Sequence, residues 1–167
     1  MSAPPPRYGT LPLPPYRHRP GTTPHPRRDA AGHSYGRTES PHPPWRPEYW
    51  RTLEAWLHGV DLFNDGYYWE CHEALEALWI AGGRTSQHAR FVRGVILISA
   101  ALLNRELKKS GGGKRQAALG IRHLESVLPD HPAYMGLEIA PFAAAVAACF
   151  RGSAEPPTIL LSPILDA

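Results

Sequence analysis

Proline is concentrated at one end of this chain. Thirteen of the 19 prolines lie in residues 1–47, although the chain has 167 residues. Proline lacks a backbone N–H and disrupts the interior of helices and sheets, so this segment is a poor candidate for regular structure. It also has no periodic apolar pattern with which to offset the entropy of ordering. The sequence therefore predicts a disordered N-terminal arm of polyproline character over residues 1–47.

Charge divides at the same boundary. The arm carries seven arginines against Asp29 and Glu39, which gives 7 − 2 = +5. Residues 48–167 hold the other 11 Lys and Arg and 13 Asp and Glu, which gives 11 − 13 = −2. The basic pI is therefore a property of the arm, and the sequence does not indicate a basic nucleic-acid-binding domain.

The sequence leaves the role of the arm open. One hypothesis is a weak binding arm for nucleic acid or another acidic partner, since arginine-rich segments attract polyanions. Pro12, Pro14, Pro15 and Arg17 could also mimic a proline-rich ligand. The favoured alternative is a linker without a binding role, or a start site placed too far upstream.

Membrane and disulfide-stabilised classes are not indicated. The longest apolar stretch, residues 95–103, is interrupted by one serine and is too short to span a bilayer. The N-terminus lacks the apolar region of a secretory signal. Cys71 and Cys149 form no disulfide framework and no CxxC metal pair. The sequence predicts a cytoplasmic protein with reduced thiols and no membrane association.

Residues 48–152 show apolar positions at helical spacing. Glycines, prolines and possible capping residues divide this span into five predicted helices: from Pro47 to Gly66, Tyr67 to Ile80, Thr85 or Ser86 to Lys109, Lys114 to Val127, and Phe142 to Arg151. The third is apolar on nearly every side, which is typical of a central helix. We therefore predict an all-α fold, a compact bundle of about five helices followed by a C-terminal tail over residues 153–167.

The second helix carries the densest group of titratable residues. Projected at about 100° per residue, its buried face consists of five residues: Tyr68, Cys71, Leu75, Leu78 and Trp79. His72 lies at the edge of that face, and Glu76 lies at its boundary with solvent. Glu70 and Glu73 point the other way and are predicted to be solvated. His72 and Glu76 are thus the pair that can meet in a sheltered place.

Three interpretations of this pair stay open. His72 and Glu76 could bind a divalent metal ion, with Glu106 of the third helix as a possible third donor. Alternatively, Glu76 could orient His72 as a general base, while Tyr68 or Arg93 binds substrate. The structural alternative is a satisfied hydrogen-bond network at the edge of the bundle, joined by the Trp79 indole. Spacing alone favours the structural one.

One stretch resembles a known family. Phe63-Asn64-x-Gly66-x-Tyr68-x-x-x-His72-Glu73-x-Leu75-Glu76-x-x-Trp79 is similar to the pattern of the domain of unknown function 309 family, small all-helical bacterial and archaeal proteins. The resemblance covers roughly residues 53–150. Two stretches look like the family's second block: Arg93-Gly94-Val95-Ile96 and Ala100-Ala101-Leu102. The resemblance extends to Met135-Gly136-Leu137 and Phe142.

The resemblance implies that His72, Glu76 and Trp79 matter for function. The binding candidates are Asn64, Tyr68, Trp79 and Arg93. Family members often carry glutamine in place of Arg93 and of Leu97, which weakens the case for a third-helix contribution. The family implies no established activity, and the cofactor stays unknown.

Three functional hypotheses follow. The first is a binding or adaptor module for an unknown small molecule or protein, with a pocket where His72, Glu76 and Trp79 meet the first and third helices. The second is a hydrolase, possibly metal-assisted, that uses His72 and Glu76. The third is arm-driven binding to nucleic acid or an acidic partner.

Overall fold

A computed structural model describes residues 3–109 and 111–162 of the chain. The all-α prediction is confirmed, since the described residues are mostly helical. They form a 3-10 helix, five α-helices and one two-stranded hairpin: Pro47–Thr52, α1 Glu54–Asn64, α2 Tyr68–Ala81, α3 Gln87–Glu106, α4 Gly112–Glu125, β1 Ala133–Tyr134, β2 Leu137–Glu138 and α5 Ile139–Phe150. None of the described helices is both long and apolar enough to cross a membrane.

The first predicted helix is divided in two. Leu53 has φ −82° and ψ 86°, which is not helical, and its N–H bonds to the Trp50 carbonyl. The chain therefore makes a short 3-10 helix before α1 begins at Glu54. Apolar spacing alone misses this break because both pieces bury a tryptophan, Trp50 before it and Trp56 after it.

A tight hairpin lies between α4 and α5, where the sequence predicts no helix. Ala133 pairs with Glu138, and Tyr134 pairs with Leu137. The turn between them uses positive φ at Met135 (47°) and Gly136 (80°), a conformation that glycine adopts without strain. Strands of two residues are too short to show alternation in the sequence, so this hairpin could not be predicted from period alone.

The core is organised around α3, as its apolar composition predicted. Its most extensive helix contact is with α4. A Cβ built on Gly94 would lie 2.9 Å from the Gly120 carbonyl oxygen, and one built on Gly120 would lie 2.8 Å from the Gly94 carbonyl oxygen. The two backbones therefore touch at this crossing, and neither position has room for a side chain.

We expect Gly120→Ala to destabilise the bundle. Alanine improves helix propensity by about 1 kcal/mol, but the added methyl group meets backbone and should cost about 1–3 kcal/mol. Urea unfolding followed by circular dichroism measures the difference. Ala118→Gly, at an exposed position of the same helix, measures the effect of helix propensity at a site that does not contact α3 backbone. A more stable Gly120→Ala variant would contradict the close contact.

The N-terminal arm differs from the predicted disorder. Residues 3–46 form no helix or strand, as their prolines predict, but they lie against the bundle. The Asp61 carboxylate of α1 accepts the N–H groups of Tyr8 (2.8 Å) and Gly9 (2.9 Å). Glu54 accepts those of Thr10 (2.7 Å) and Leu11 (3.1 Å). The arm is thus ordered by acidic side chains, which accept the backbone N–H groups that its own residues do not pair.

Ion pairs add to this attachment. At least four of the arm's seven arginines lie within ion-pair distance of carboxylates: Arg7 with Asp61 and Asp65, Arg17 and Arg19 with Glu106, and Arg27 with Glu39 and Glu73. A basic arm has therefore docked on an acidic bundle. Composition showed both charges, but the complementarity lies in contacts between residues far apart in the chain.

The C-terminal segment also returns to the bundle. Asn64 holds it with two hydrogen bonds, donating from Nδ2 to the Ile159 carbonyl (2.9 Å) and accepting from the Ile159 N–H (2.7 Å). Ile159 is fully buried, and Leu161 forms a bridge with Leu137 of β2. The predicted tail is thus held against the bundle at Ile159 and Leu161, and its last five residues lie outside the described range.

Candidate functional site

Helix α2 positions the residues that the sequence singled out. The face of α2 that packs on the core contains Tyr68, Cys71, Leu75 and Leu78, all buried as predicted. Burial raises the pKa of the Cys71 thiol to about 12, and burial likewise raises the pKa of Cys149. Neither thiol is therefore a ready nucleophile at neutral pH.

A cluster of metal-type donors lies on the other side of α2. His72, Glu73 and Glu76 each offer a ligand atom, and the three atoms lie within 4.8 Å of one another. We call this group the donor cluster. His72 Nδ1 is 3.4 Å from Glu73 Oε1, and the side chains of His72 and Glu73 are 34% and 24% exposed. The donor cluster is therefore partly buried but still reachable from solvent, so a ligand could enter and leave.

Glu73 was predicted to be solvated, and the structure corrects this. The hydrogen bond from His72 lowers the pKa of the Glu73 carboxyl; partial burial opposes that effect, and the nearby Arg27 guanidinium assists it. Arg27 Nη2 lies 2.9 Å from Glu73 Oε2. Glu73 thus presents one oxygen to His72 and the other to the arm, and it is ionised at neutral pH.

Glu106 does not join the donor cluster. Its carboxylate lies 3.2 Å from Arg19 and 4.0 Å from Arg17. The third donor beside His72 and Glu76 is instead Glu73, from the same helix. On an ideal helical wheel Glu73 lies on the side of α2 away from His72 and Glu76. Its side chain is long and flexible, however, and it reaches His72 in the structure.

Trp79 takes part in a different contact. Its indole N–H donates to the Arg84 carbonyl (3.2 Å), and the Arg93 guanidinium carbon lies 4.4 Å from the ring centre. Such cation–π contacts contribute about 0.5–2 kcal/mol. Arg93 and Trp79 therefore join α2 to α3, and these contacts stabilise the bundle whether or not a ligand binds.

The remaining binding candidates also make contacts within the protein. Asn64 holds Ile159, as described above. Tyr68 is buried with its ring edge-on to Phe63 at 5.7 Å, and burial strongly raises the pKa of its phenol. The structure thus brings His72 and Glu76 together, and it places Asn64, Tyr68, Trp79 and Arg93 in packing and hydrogen-bond contacts.

Glu70 was also predicted to be solvated, and this too is corrected. It is only 5% exposed. Its Oε1 accepts the His18 N–H (2.7 Å) and a ring N–H of His33 (3.0 Å). Both histidines belong to the arm, which covers this side of α2. No local signal could have shown this, because the partners are 52 and 37 positions away.

The arm surrounds Trp69 with imidazoles. The rings of His18 and His25 meet it edge-on, with centres 5.0 and 5.5 Å away. Burial lowers the pKa of His18, the neighbouring His25 lowers it further, and Glu70 partly opposes this. The docked arm therefore favours neutral His18. Docking of the arm is therefore most favourable above the ordinary histidine pKa of about 6.5, where His18 is neutral in both the docked and the free arm. It weakens as pH falls below that value, because the free arm binds the proton more readily than the docked arm.

We expect Glu70→Ala to loosen the arm and raise the pKa of His18. Removing a neighbouring carboxylate would by itself lower this pKa. Undocking returns the ring to water and moves the pKa up toward about 6.5, so the direction separates the two effects. An NMR titration of the His18 ring measures it. Glu76→Ala, on the same helix, should leave the value unchanged, and a further fall in Glu70→Ala would show that the arm stays docked.

A groove runs beside the donor cluster between α2 and the arm. It encloses about 300 Å³ and is lined by Glu73, Glu76, Ala77 and Ile80 of α2 and by arm residues that include Arg27 and His42. Two of the three donors thus face a space large enough for a small ligand. Because the arm forms one wall, the family-like helices alone would leave this groove open.

The comparisons with known proteins agree with the resemblance. The model of a family described as Domain of unknown function (DUF309) matches residues 56–115. This range runs from α1 to the start of α4 and contains the donor cluster, Trp79 and Arg93. No curated protein matches the chain.

Proposed function

Because residues 56–115 belong to the DUF309 family, and this segment holds the donor cluster, we propose that the protein is a helical binding module that captures its ligand through a divalent metal ion. The observation that carries the proposal is the convergence of His72, Glu73 and Glu76 within 4.8 Å. Imidazole and carboxylate donors together suit Zn²⁺, Mn²⁺ and Fe²⁺.

The arrangement around the cluster supports a role in binding. Three protein donors leave coordination positions for water or for an oxygen of a ligand. The groove lined by Glu73 and Glu76 lies next to these positions. Glu73 can also use Oε1 for the ion while Oε2 keeps Arg27, so metal binding does not require the arm to leave.

We predict one high-affinity metal site that depends on the cluster. Protein stripped with a chelator is titrated with Zn²⁺ and with Mn²⁺ by isothermal titration calorimetry, and bound metal is measured by elemental analysis. Wild type should bind one ion. His72→Ala and Glu76→Gln should each lower affinity at least tenfold, because two donors hold an ion poorly.

Glu125→Gln, an exposed acid at the end of α4, is the matched control and should bind as wild type does. Circular dichroism confirms that each variant is folded. Equal stoichiometry and affinity in wild type and His72→Ala would contradict the proposal, as would the absence of saturable binding in wild type.

A metal-assisted hydrolase is a second candidate. Three protein ligands with an open position form the arrangement in which catalytic zinc activates water, and the donor cluster has that number of donors. Hydrolysis of p-nitrophenyl phosphate and p-nitrophenyl acetate by metal-loaded wild type, lost in His72→Ala, would support it. If the protein binds metal but hydrolyses neither compound, the binding-module proposal stands and the hydrolase proposal fails.

Arm-driven binding to nucleic acid has less support. At least four of the seven arginines that would contact phosphates already pair with carboxylates of the chain. Nucleic acid would have to break these pairs before it gained contacts of its own.

A further inference from the structure

Four carboxylates of the bundle contact the arm. Asp61 and Glu54 of α1 each accept two backbone N–H groups, and Glu70 of α2 accepts one. Glu106, at the end of α3, faces two arginines. We call these four residues the carboxylate groove. They contact the arm at residues 7–11 and again at residues 17–19, so one stretch of the arm without helix or strand reaches all four carboxylates.

The groove recognises backbone more than side chains. Five of its contacts are to main-chain N–H groups, and the Tyr67 hydroxyl adds one to the Pro14 carbonyl (3.1 Å). An extended chain leaves such groups unpaired, and proline favours that extended form. The groove therefore fits proline-containing peptides that are extended before they bind.

Two positions provide sequence selectivity. The Arg7 guanidinium reaches Asp61 (3.3 Å) and Asp65 (3.7 Å). A Cβ built on Gly9 would lie 2.8 Å from Glu54 Oε1 and 3.1 Å from the His58 backbone nitrogen. The groove thus selects an arginine followed two residues later by glycine, with further arginines about ten residues on.

The groove belongs to the helical domain, but its occupant does not. Asp61, Glu70 and Glu106 lie within residues 56–115, which the family model matches, while the arm lies before this range. Asp61 is fully buried by the arm. A domain that carries a set of carboxylates suited to an extended basic peptide can meet that peptide in its own chain or in another one.

We infer that the carboxylate groove is a peptide-binding site, occupied here by residues 7–19, and that it accepts from a partner protein an extended segment of the same chemistry. That segment carries Arg-x-Gly, then prolines, then arginine. The tethered arm competes at an effective concentration of roughly millimolar. A partner must therefore displace it, and the arm acts as an intramolecular competitor.

The test frees the arm without removing it. A protease recognition sequence is inserted after Thr38, in the exposed segment 35–41, so that the purified full chain can be cut into two associated pieces. A fluorescein-labelled peptide of residues 5–20 is then added, and its anisotropy is followed. We expect saturable binding to the cut chain and at least tenfold weaker binding to the uncut chain.

Peptide variants keep the protein unchanged and so avoid folding defects. Arg7→Glu and Gly9→Val should each weaken binding at least tenfold, through charge reversal and through steric overlap. Pro6→Ala, at an exposed position, is the matched control and should bind as the parent does. On the protein side, Asp61→Asn should weaken binding and Glu125→Gln should not.

Other results would overturn the inference. These are unfolding of the chain on cutting, no peptide binding to a cut chain that stays folded, or equal binding of all peptide variants. A dimer of the uncut chain that Arg7→Glu dissociates would assign the groove to the arm of a second copy and not to a partner protein.

Discussion

The rest of the structure depends on the contacts between the buried Asp61 carboxylate and the arm. A fully buried carboxylate is tolerated only when its oxygens are hydrogen-bonded and its charge is paired. Here the arm supplies both, through the N–H groups of Tyr8 and Gly9 and the guanidinium of Arg7. Helix α1 therefore reaches its observed burial only with the arm in place. An arm that looks dispensable by composition is part of the folded unit.

This dependence also shapes the candidate site. Helix α2 has the core on one side and the arm on the other, and the donor cluster lies where the arm's cover ends. Glu70 is enclosed, Glu73 is shared between His72 and Arg27, and Glu76 faces the groove beside the donor cluster. Three carboxylates spaced three residues apart on one helix thus have three different environments. The arm, more than the helix, determines which of them can reach a ligand.

The helical architecture could be predicted from the sequence because it depends on local spacing. Apolar residues three and four apart define α2 and α3, glycine ends α2 at Gly82, and Ser86 caps α3 by accepting the Ala89 N–H. His72 and Glu76 were identified for the same reason, since their spacing places them on one side of a helix. These predictions required no knowledge of distant residues.

The errors share the opposite cause. Glu70 was assigned to solvent, the contact between Glu73 and Arg27 was missed, and the arm was predicted to be disordered, because in each case the partners lie tens of residues away. Hydrophobic periodicity carries no information on a polar contact between Asp61 and Gly9. The seven arginines and the acidic domain were visible as net charges, but only the folded geometry shows which charges meet.

The hydroxyl of Tyr8 accepts the N–H of Leu161 at 3.0 Å, across 153 positions of sequence. The two ends of the described chain are therefore joined directly, and residue 161 also pairs with β2. Removal of the arm would release the C-terminal segment from one of its anchors at the same time. A fluorescent label on the C-terminal segment would thus report arm movement, and a short linker between these ends would suit circular permutation.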